Sequence, residues 1–224
     1  MKLVHPDIKN QIIFSENKVN VLTIENKTFF TEFVSEFFSQ YSGNEGKFIL
    51  SEDNKELSIP KTCELILNPI NLDINNKQNL NKIYSTLKQS ISNEYNYLKT
   101  CTIKSEILKH IDDVLLSLDI PLKRSEELDL ISIFKAVNIS FETEYTNLLE
   151  KIVDYISASV ELNQIKCFIF INLKQFLNFK DLSELYKFAR YIKTNLFLIE
   201  GTYTSTKEDC EKSYIIDKDL CEIY

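Results

Sequence analysis

Hydrophobic and polar positions follow a β-rich pattern with one helix over the first third of the chain. Short apolar runs bounded by polar or turn residues are typical of strands, and a stripe of aromatic side chains at spacings of three and four is typical of an amphipathic helix. The helix is expected to end at Ser42-Gly43-Asn44. The predicted elements are strands at 11–14, 19–24, 47–50, 56–59 and 63–67, and a helix at 28–41. Glu52-Asp53-Asn54, between the strands at 47–50 and 56–59, predicts a hairpin turn.

The middle of the chain, from about Asp73 to Val137, is helical in pattern. One apolar stripe runs from Leu80 to Leu98 and a second from Ile103 to Leu118. A third, shorter helix is expected to open at Ser125 as its N-cap. Long amphipathic helices joined by short turns predict an antiparallel helical hairpin.

The last third returns to alternating strands and helices. The run at 165–171 is almost continuously apolar, as in a parallel strand buried on both faces. The other predicted elements are helices at 148–156 and 181–194 and strands at 196–199, 213–216 and 220–223. We therefore expect an α/β fold with a discontinuous head domain of residues 1–72 and 138–224, and a helical leg inserted at 73–137.

Composition and charge exclude several classes of function. The 224 residues carry a net charge of −7, which argues against coating nucleic acid with the whole surface but leaves room for a local basic channel. Five cysteines without a CxxC pair argue against a disulfide framework or a zinc site. No apolar run approaches the ~18 residues of a membrane span, so we expect no membrane association and a cytoplasmic location.

The connection from the second predicted strand into the first helix, Glu25-Asn26-Lys27-Thr28, lies where a phosphate-binding loop would lie. Such a loop needs glycines so that backbone N–H groups can wrap the phosphates, and this connection has none. Asn26 or Thr28 is therefore expected to be a helix N-cap. The strand at 165–171 ends in Asn172, where an NTPase would carry a magnesium-binding aspartate. The pattern predicts a phosphate-loop-NTPase-like head without a functional nucleotide site.

One acidic segment, DIPLKRSEELD, is a candidate Ca²⁺ site because carboxylates converging from a loop and a helix start suit a hard cation. Its candidate ligands are Asp119, Glu126, Glu127 and Asp129. The alternative is structural. Ser125 would cap the helix, the two glutamates would favour its dipole, and Lys123 and Arg124 would repel a cation.

The order of segments resembles the short form of a type II-A CRISPR adaptation protein, the Csn-two family. The segments that carry the resemblance are FILSEDNKELSIPKTCELILNPINLDIN, IFKAVNISFETEYTNLLEKI, CFIFINLKQFL and LFLIEGTY. The resemblance covers nearly the whole chain in order. It implies an α/β head and a helical leg, a homotetrameric ring, uptake of double-stranded DNA ends through a lysine-lined hole, and supporting calcium ions. It also implies action beside the CRISPR integrase and effector nuclease during spacer acquisition, without catalytic activity.

The resemblance also assigns residues. Lys135, in IFKA, matches a family lysine that faces the hole, whereas the next family lysine falls at Ser140 here. Lys174 and Lys180, after the buried strand, are weaker DNA candidates. Asp119 matches a family calcium ligand.

The other calcium ligands of the family fall near Pro121, at Lys123–Arg124 and at Ser132, so Glu126 or Asp129 would have to compensate. Two other functions stay open beside DNA-end binding. One is a bridging subunit of the adaptation complex that no longer binds DNA. The other is a nucleotide-binding enzyme that uses Lys27-Thr28.

Overall fold

The structure is a computed structural model that describes residues 1–91 and 94–223. The chain is divided into two compact units, Met1–Ile74 with Thr143–Tyr224, and Asn75–Glu142. The larger unit combines sheets with helices and the smaller one is helical, which confirms the predicted mixed α/β class.

Ten strands and four helices form the described part of the larger unit, and three helices form that of the smaller unit. The strands are β1 (Lys2–Val4), β2 (Ile12–Ile13), β3 (Val19–Ile24), β4 (Ile49–Glu52), β5 (Lys55–Leu57), β6 (Cys63–Ile66), β7 (Cys167–Ile171), β8 (Asn195–Glu200), β9 (Glu211–Ile216) and β10 (Glu222–Ile223). The helices are α1 (Lys27–Tyr41), α2 (Ile59–Thr62), α3 (Lys77–Ser90), α4 (Glu94–Leu116), α5 (Leu130–Ala136), α6 (Leu148–Asn163) and α7 (Phe179–Tyr191).

The main sheet has six strands in the order β10-β9-β3-β8-β7-β6. β3 lies between β9 and β8 and is parallel to both, with Val21 opposite Ser213 and Leu198. β7 is parallel to β6 and β8 and is buried along its whole length, as its apolar run predicted. β10 is antiparallel to β9 at the edge.

One face of the main sheet shares a core with α1 and with the smaller antiparallel sheet β2-β1-β4-β5. The centre of this core is aromatic, because Phe48 contacts both Phe33 and Phe37 edge-to-face with ring centroids 4.8 Å apart. Asp53 and Asn54 form the β4–β5 turn with positive φ, which confirms the hairpin. β1 was not predicted, since three residues are too few to show alternation.

The opposite face of the main sheet is covered by α6 and α7. α6 begins at the N-cap Asn147 and ends at Gln164, which has left-handed backbone geometry (φ 58°) and donates its N–H to the carbonyls of Ser159 and Val160. α7 begins at Asn178. An asparagine side chain thus caps the start of each helix, and a backbone N–H caps the end of α6. Both helices lie with an apolar face on the sheet.

The smaller unit differs from the sequence prediction in two helix boundaries. The expected break between the two long stripes, near residues 99–102, lies inside α4, whereas α3 ends at Ser90. No glycine or proline lies between 73 and 118, so apolar spacing was the only guide to the boundary. The expected N-cap at Ser125 is also wrong. α5 begins at Leu130, and Asp129 caps it by accepting the Ser132 N–H at 3.1 Å.

Candidate DNA interface and cation site

Lys135 lies in the last turn of α5, where its positive charge favours the helix dipole. Its side chain is exposed, and its ammonium lies 6.0 Å from the centroid of the Tyr84 ring, at the outer range of a cation–π contact. Tyr84 is 6% exposed, and its hydroxyl donates to the Ile139 carbonyl at 3.1 Å. The buried tyrosine thus supports an exposed lysine whose charge faces solvent. Sequence reasoning missed Tyr84 as a partner because 51 residues separate the two.

Lys174 has a different environment from Lys135. Its ammonium forms an ion pair with the Glu211 carboxylate at 2.7 Å, and the two side chains are only 9% and 3% exposed. The Tyr186 hydroxyl donates to the other oxygen of Glu211 at 2.9 Å. This ammonium is committed inside the larger unit and does not reach a surface where DNA could contact it.

Lys174 also anchors a neighbouring carboxylate, because its backbone N–H donates to Glu200 at 3.1 Å. Glu200 is 2% exposed, and burial raises its pKa from the usual 4.5 to about 7, although the Lys174 N–H and ammonium lower it. Burial beside Glu211 likewise raises the pKa of the Tyr186 hydroxyl. The group Lys174, Glu211, Tyr186 and Glu200 is therefore a buried polar network on the α7 side of the main sheet.

Lys180 lies in the first turn of α7, and its side chain is 84% exposed. It forms only a long ion pair with Glu184, at 3.9 Å, one turn further along the helix. Such exposed pairs contribute little to stability. Lys180 is thus accessible to a phosphate, in contrast to Lys174. It belongs to the larger unit, whereas Lys135 belongs to the smaller one.

The acidic segment is arranged around an arginine. The Arg124 guanidinium donates to both carboxylate oxygens of Asp112, at 2.7 and 2.6 Å, and to the Ser125 carbonyl at 2.7 Å. These hydrogen bonds lower the pKa of Asp112. Although partial desolvation opposes it, the N–H groups of Ser132 and Ile131, with Lys88 at 3.6 Å, lower the pKa of Asp129.

The predicted calcium ligands are not brought together within one chain. In residues 1–91 and 94–223, no three histidine, cysteine, aspartate or glutamate side chains converge as metal ligands. Asp119, Glu126 and Glu127 are exposed, and the Asp129 carboxylate is engaged as the α5 N-cap. The donor set of one described chain therefore does not fit Ca²⁺, which takes six to eight oxygens. Calcium binding by this protein stays a prediction.

The connection between β3 and α1 is short and is held by a helix cap. Asn26 is the N-cap, as predicted, and its side-chain oxygen accepts the Phe29 N–H at 3.0 Å. At the end of β7, Asn172 has left-handed geometry (φ 54°), and its side-chain oxygen accepts the Gly201 N–H at 2.7 Å. Both side-chain oxygens accept N–H groups of the protein's own backbone, and the side-chain amide of Asn26 also donates to the Lys218 carbonyl at 2.9 Å. Neither oxygen is therefore directed at the metal ion of a nucleotide.

The chain is thus a mixed α/β protein with a sheet-containing unit and a helical unit. It exposes cationic side chains although its net charge is negative. A comparison with protein families matches residues 40–220, about four fifths of the chain, to a family described as CRISPR-associated protein (Cas_Csn2). The chain belongs to this family of type II-A CRISPR-associated proteins, which confirms the resemblance seen in the sequence. Membership implies a role in CRISPR adaptation. Among the described residues, no helix is both long and apolar enough to cross a membrane.

Proposed function

We propose that this CRISPR-associated protein is a non-catalytic, sequence-independent binder of double-stranded DNA ends. We further propose that it works as a homotetrameric ring during spacer acquisition, beside the integrase and the effector nuclease of the system. The observation that carries the proposal is the family match over residues 40–220. The net charge of −7 supports contact at a few local cations rather than over the whole surface.

The larger unit is proposed to be a phosphate-loop-NTPase-like body without a functional nucleotide site. Its parallel strands and the direct passage from β3 into α1 support the likeness. The absence of glycine between Glu25 and Thr28, and the capping role of Asn26, support the loss of phosphate binding there. A DNA-binding role that needs no hydrolysis fits this arrangement.

Lys135 is the proposed DNA contact of the smaller unit and Lys180 that of the larger one. Both side chains are exposed, and the cation–π support of Lys135 leaves its charge unpaired by any carboxylate of the described chain. Lys174 is not part of the proposal because its ammonium is buried against Glu211. A symmetric ring would repeat each contact in every subunit, and each neutralised phosphate would release counterions.

The test is binding to a linear duplex and to a covalently closed circle of the same sequence, with calcium and with chelator. We expect binding to the linear form only, and an affinity that falls steeply between 50 and 200 mM salt, on the order of 10³-fold or more if six phosphates are contacted. Lys135→Glu should weaken binding to the linear duplex, because it removes one phosphate contact from every subunit. Lys55→Glu, the same charge reversal on the exposed β5 strand, is the matched control and should not.

Equal binding to the linear duplex and to the closed circle would refute the proposed ring. An affinity that does not depend on salt would refute the proposed phosphate contacts. Loss of binding in chelator would support a calcium site built from more than one chain. Unchanged binding would contradict the predicted need for calcium.

The bridging subunit is the second candidate, and exposed apolar side chains on α4 favour it. Leu98 is 62% exposed, Val114 50% and Leu116 83%, so these side chains are available for contact with a partner protein. If neither DNA form binds, while the protein co-purifies with the integrase in a Leu98- and Val114-dependent manner, bridging replaces DNA binding as the function.

A further inference from the structure

A cavity of about 520 Å³ opens at the edge of the main sheet where its parallel strands begin. It is bordered by residues 14–19, which lead into β3, and by residues 193–195, which lead from α7 into β8. Its volume is in the range of small-molecule sites. The DNA proposal makes no use of this cavity, and none of Lys135, Lys174 and Lys180 lines it.

The cavity is positively charged although the chain is acidic. Of the described side chains that line it, four are cationic and two are anionic, namely Lys18, Lys166, Arg190 and Lys193 against Glu16 and Glu52. The excess is therefore two positive charges on a chain of net charge −7. A concave wall of low polarity strengthens the field of such charges and concentrates anions.

The four cations are not equally available. The Lys166 ammonium is paired with Glu52 at 2.7 Å, and the Lys18 ammonium donates to the Asp209 carbonyl at 3.0 Å. Arg190 uses only its Nε, which donates to the Tyr186 carbonyl at 3.3 Å. Against the described chain, the two terminal nitrogens of Arg190 and the ammonium of Lys193 form no hydrogen bond or ion pair. The two terminal nitrogens of Arg190 are therefore available to bind two phosphate oxygens at once.

Two carbonyls at the end of α7, beside these cations, are hydrogen-bonded to the following turn. The Lys193 N–H donates to the Arg190 carbonyl at 3.2 Å, and the Thr194 N–H donates to the Ala189 carbonyl at 2.9 Å. Lys193 itself has left-handed geometry, φ 56°, which turns the chain from α7 into β8. The negative end of the helix dipole is thus partly satisfied by the turn.

The opposite edge of the sheet is where α/β proteins usually bind ligands. Here that edge is filled between β7 and β8, because Asn172 accepts the Gly201 N–H and Glu200 accepts the Lys174 N–H. These loop contacts occupy the carboxyl ends of β7 and β8, whereas the cavity lies at the amino ends of β3 and β8.

We propose that this cavity binds a small oligophosphate anion of nucleotide size, held by Arg190 and Lys193 with Lys18 as a third cation. A small free anion fits this concave cavity, whereas a DNA duplex needs an open groove on the protein surface. Phe14, Val19 and Ala189 line the same cavity and give it an apolar part. A nucleoside triphosphate and inorganic tripolyphosphate share the required chemistry.

The experiment is calorimetric titration of the full chain at low salt with ATP, inorganic tripolyphosphate and adenosine, in the absence of DNA. Arg190→Gln removes the fork, and Lys193→Asn removes the ammonium while keeping a residue that tolerates positive φ. Each substitution removes a charge-assisted contact and should weaken binding about tenfold. Lys187→Gln, an exposed lysine of α7 that does not line the cavity, is the matched control and should leave affinity unchanged.

Binding of both phosphates but not of adenosine supports the site. Tighter binding of ATP then identifies a nucleotide as the source, and equal affinities identify the inorganic anion. The proposal is overturned if neither phosphate binds. It is also overturned if both variants bind as tightly as the unaltered chain while circular dichroism shows them folded, since the anion would then lie elsewhere.

Discussion

The buried ion pair of Lys174 and Glu211 yields the sharpest stability prediction. Its atoms are 2.7 Å apart and its side chains are 9% and 3% exposed. Lys174→Ala leaves the Glu211 carboxylate buried without its cation, and breaking such a pair costs about 3–5 kcal/mol. Because the Tyr186 hydroxyl still donates to Glu211 at 2.9 Å, part of the charge stays compensated. We therefore expect a loss of about 3 kcal/mol in the free energy of unfolding.

The double variant Lys174→Met with Glu211→Gln separates pairing from packing. It keeps both side-chain shapes and leaves no charge at either position, so it should recover most of the loss. Lys180→Ala is the matched control. Its pair with Glu184 is long and its side chain is 84% exposed, so its effect should be below about 0.5 kcal/mol.

The assay is urea unfolding followed by circular dichroism, with the midpoints compared at unchanged slope. DNA affinity is measured on the same samples. A Lys174→Ala variant as stable as the unaltered protein, or a double variant no more stable than the single one, would refute the reasoning. Loss of DNA affinity at unchanged stability would instead return Lys174 to the DNA interface.

Three further predictions rest on other contacts. The folded pKa of Glu200, about 7, lies above its usual 4.5, so its contribution to stability is full below pH 4.5 and lost as the pH rises through 7. The loss is about 3 kcal/mol, and Glu200→Gln should flatten this part of a pH series of unfolding curves. Arg124→Gln should raise the pKa of Asp112 towards its usual value in an NMR titration and speed amide hydrogen exchange in residues 117–129; an unchanged titration would show that the fork does not form. Phe48→Ala, at 2% exposure, should cost about 3–5 kcal/mol in urea unfolding, and a loss below 1 kcal/mol would contradict the aromatic core.

The sequence alone was sufficient wherever burial follows a local repeat. The apolar run of β7, the aromatic stripe of α1 and the turn at Asp53-Asn54 were each predicted from neighbouring residues and confirmed. The glycine-free connection before α1 pointed to Asn26 or Thr28 as a cap for the same reason, since an N-cap acts on a backbone N–H three residues away. The structure shows that the cap is Asn26. The collinear segments were likewise enough to indicate the family.

Only the tertiary structure decided which charges are free. Lys174 and Lys180 look alike in sequence, six residues apart in one loop and helix start. Glu211, 37 residues further on, buries the first, whereas the second faces solvent. Asp129 rather than Ser125 caps α5, because α5 begins only at Leu130 and the Asp129 carboxylate accepts the Ser132 N–H. The fate of a charged side chain depends on partners that folding brings near, and no local repeat encodes them.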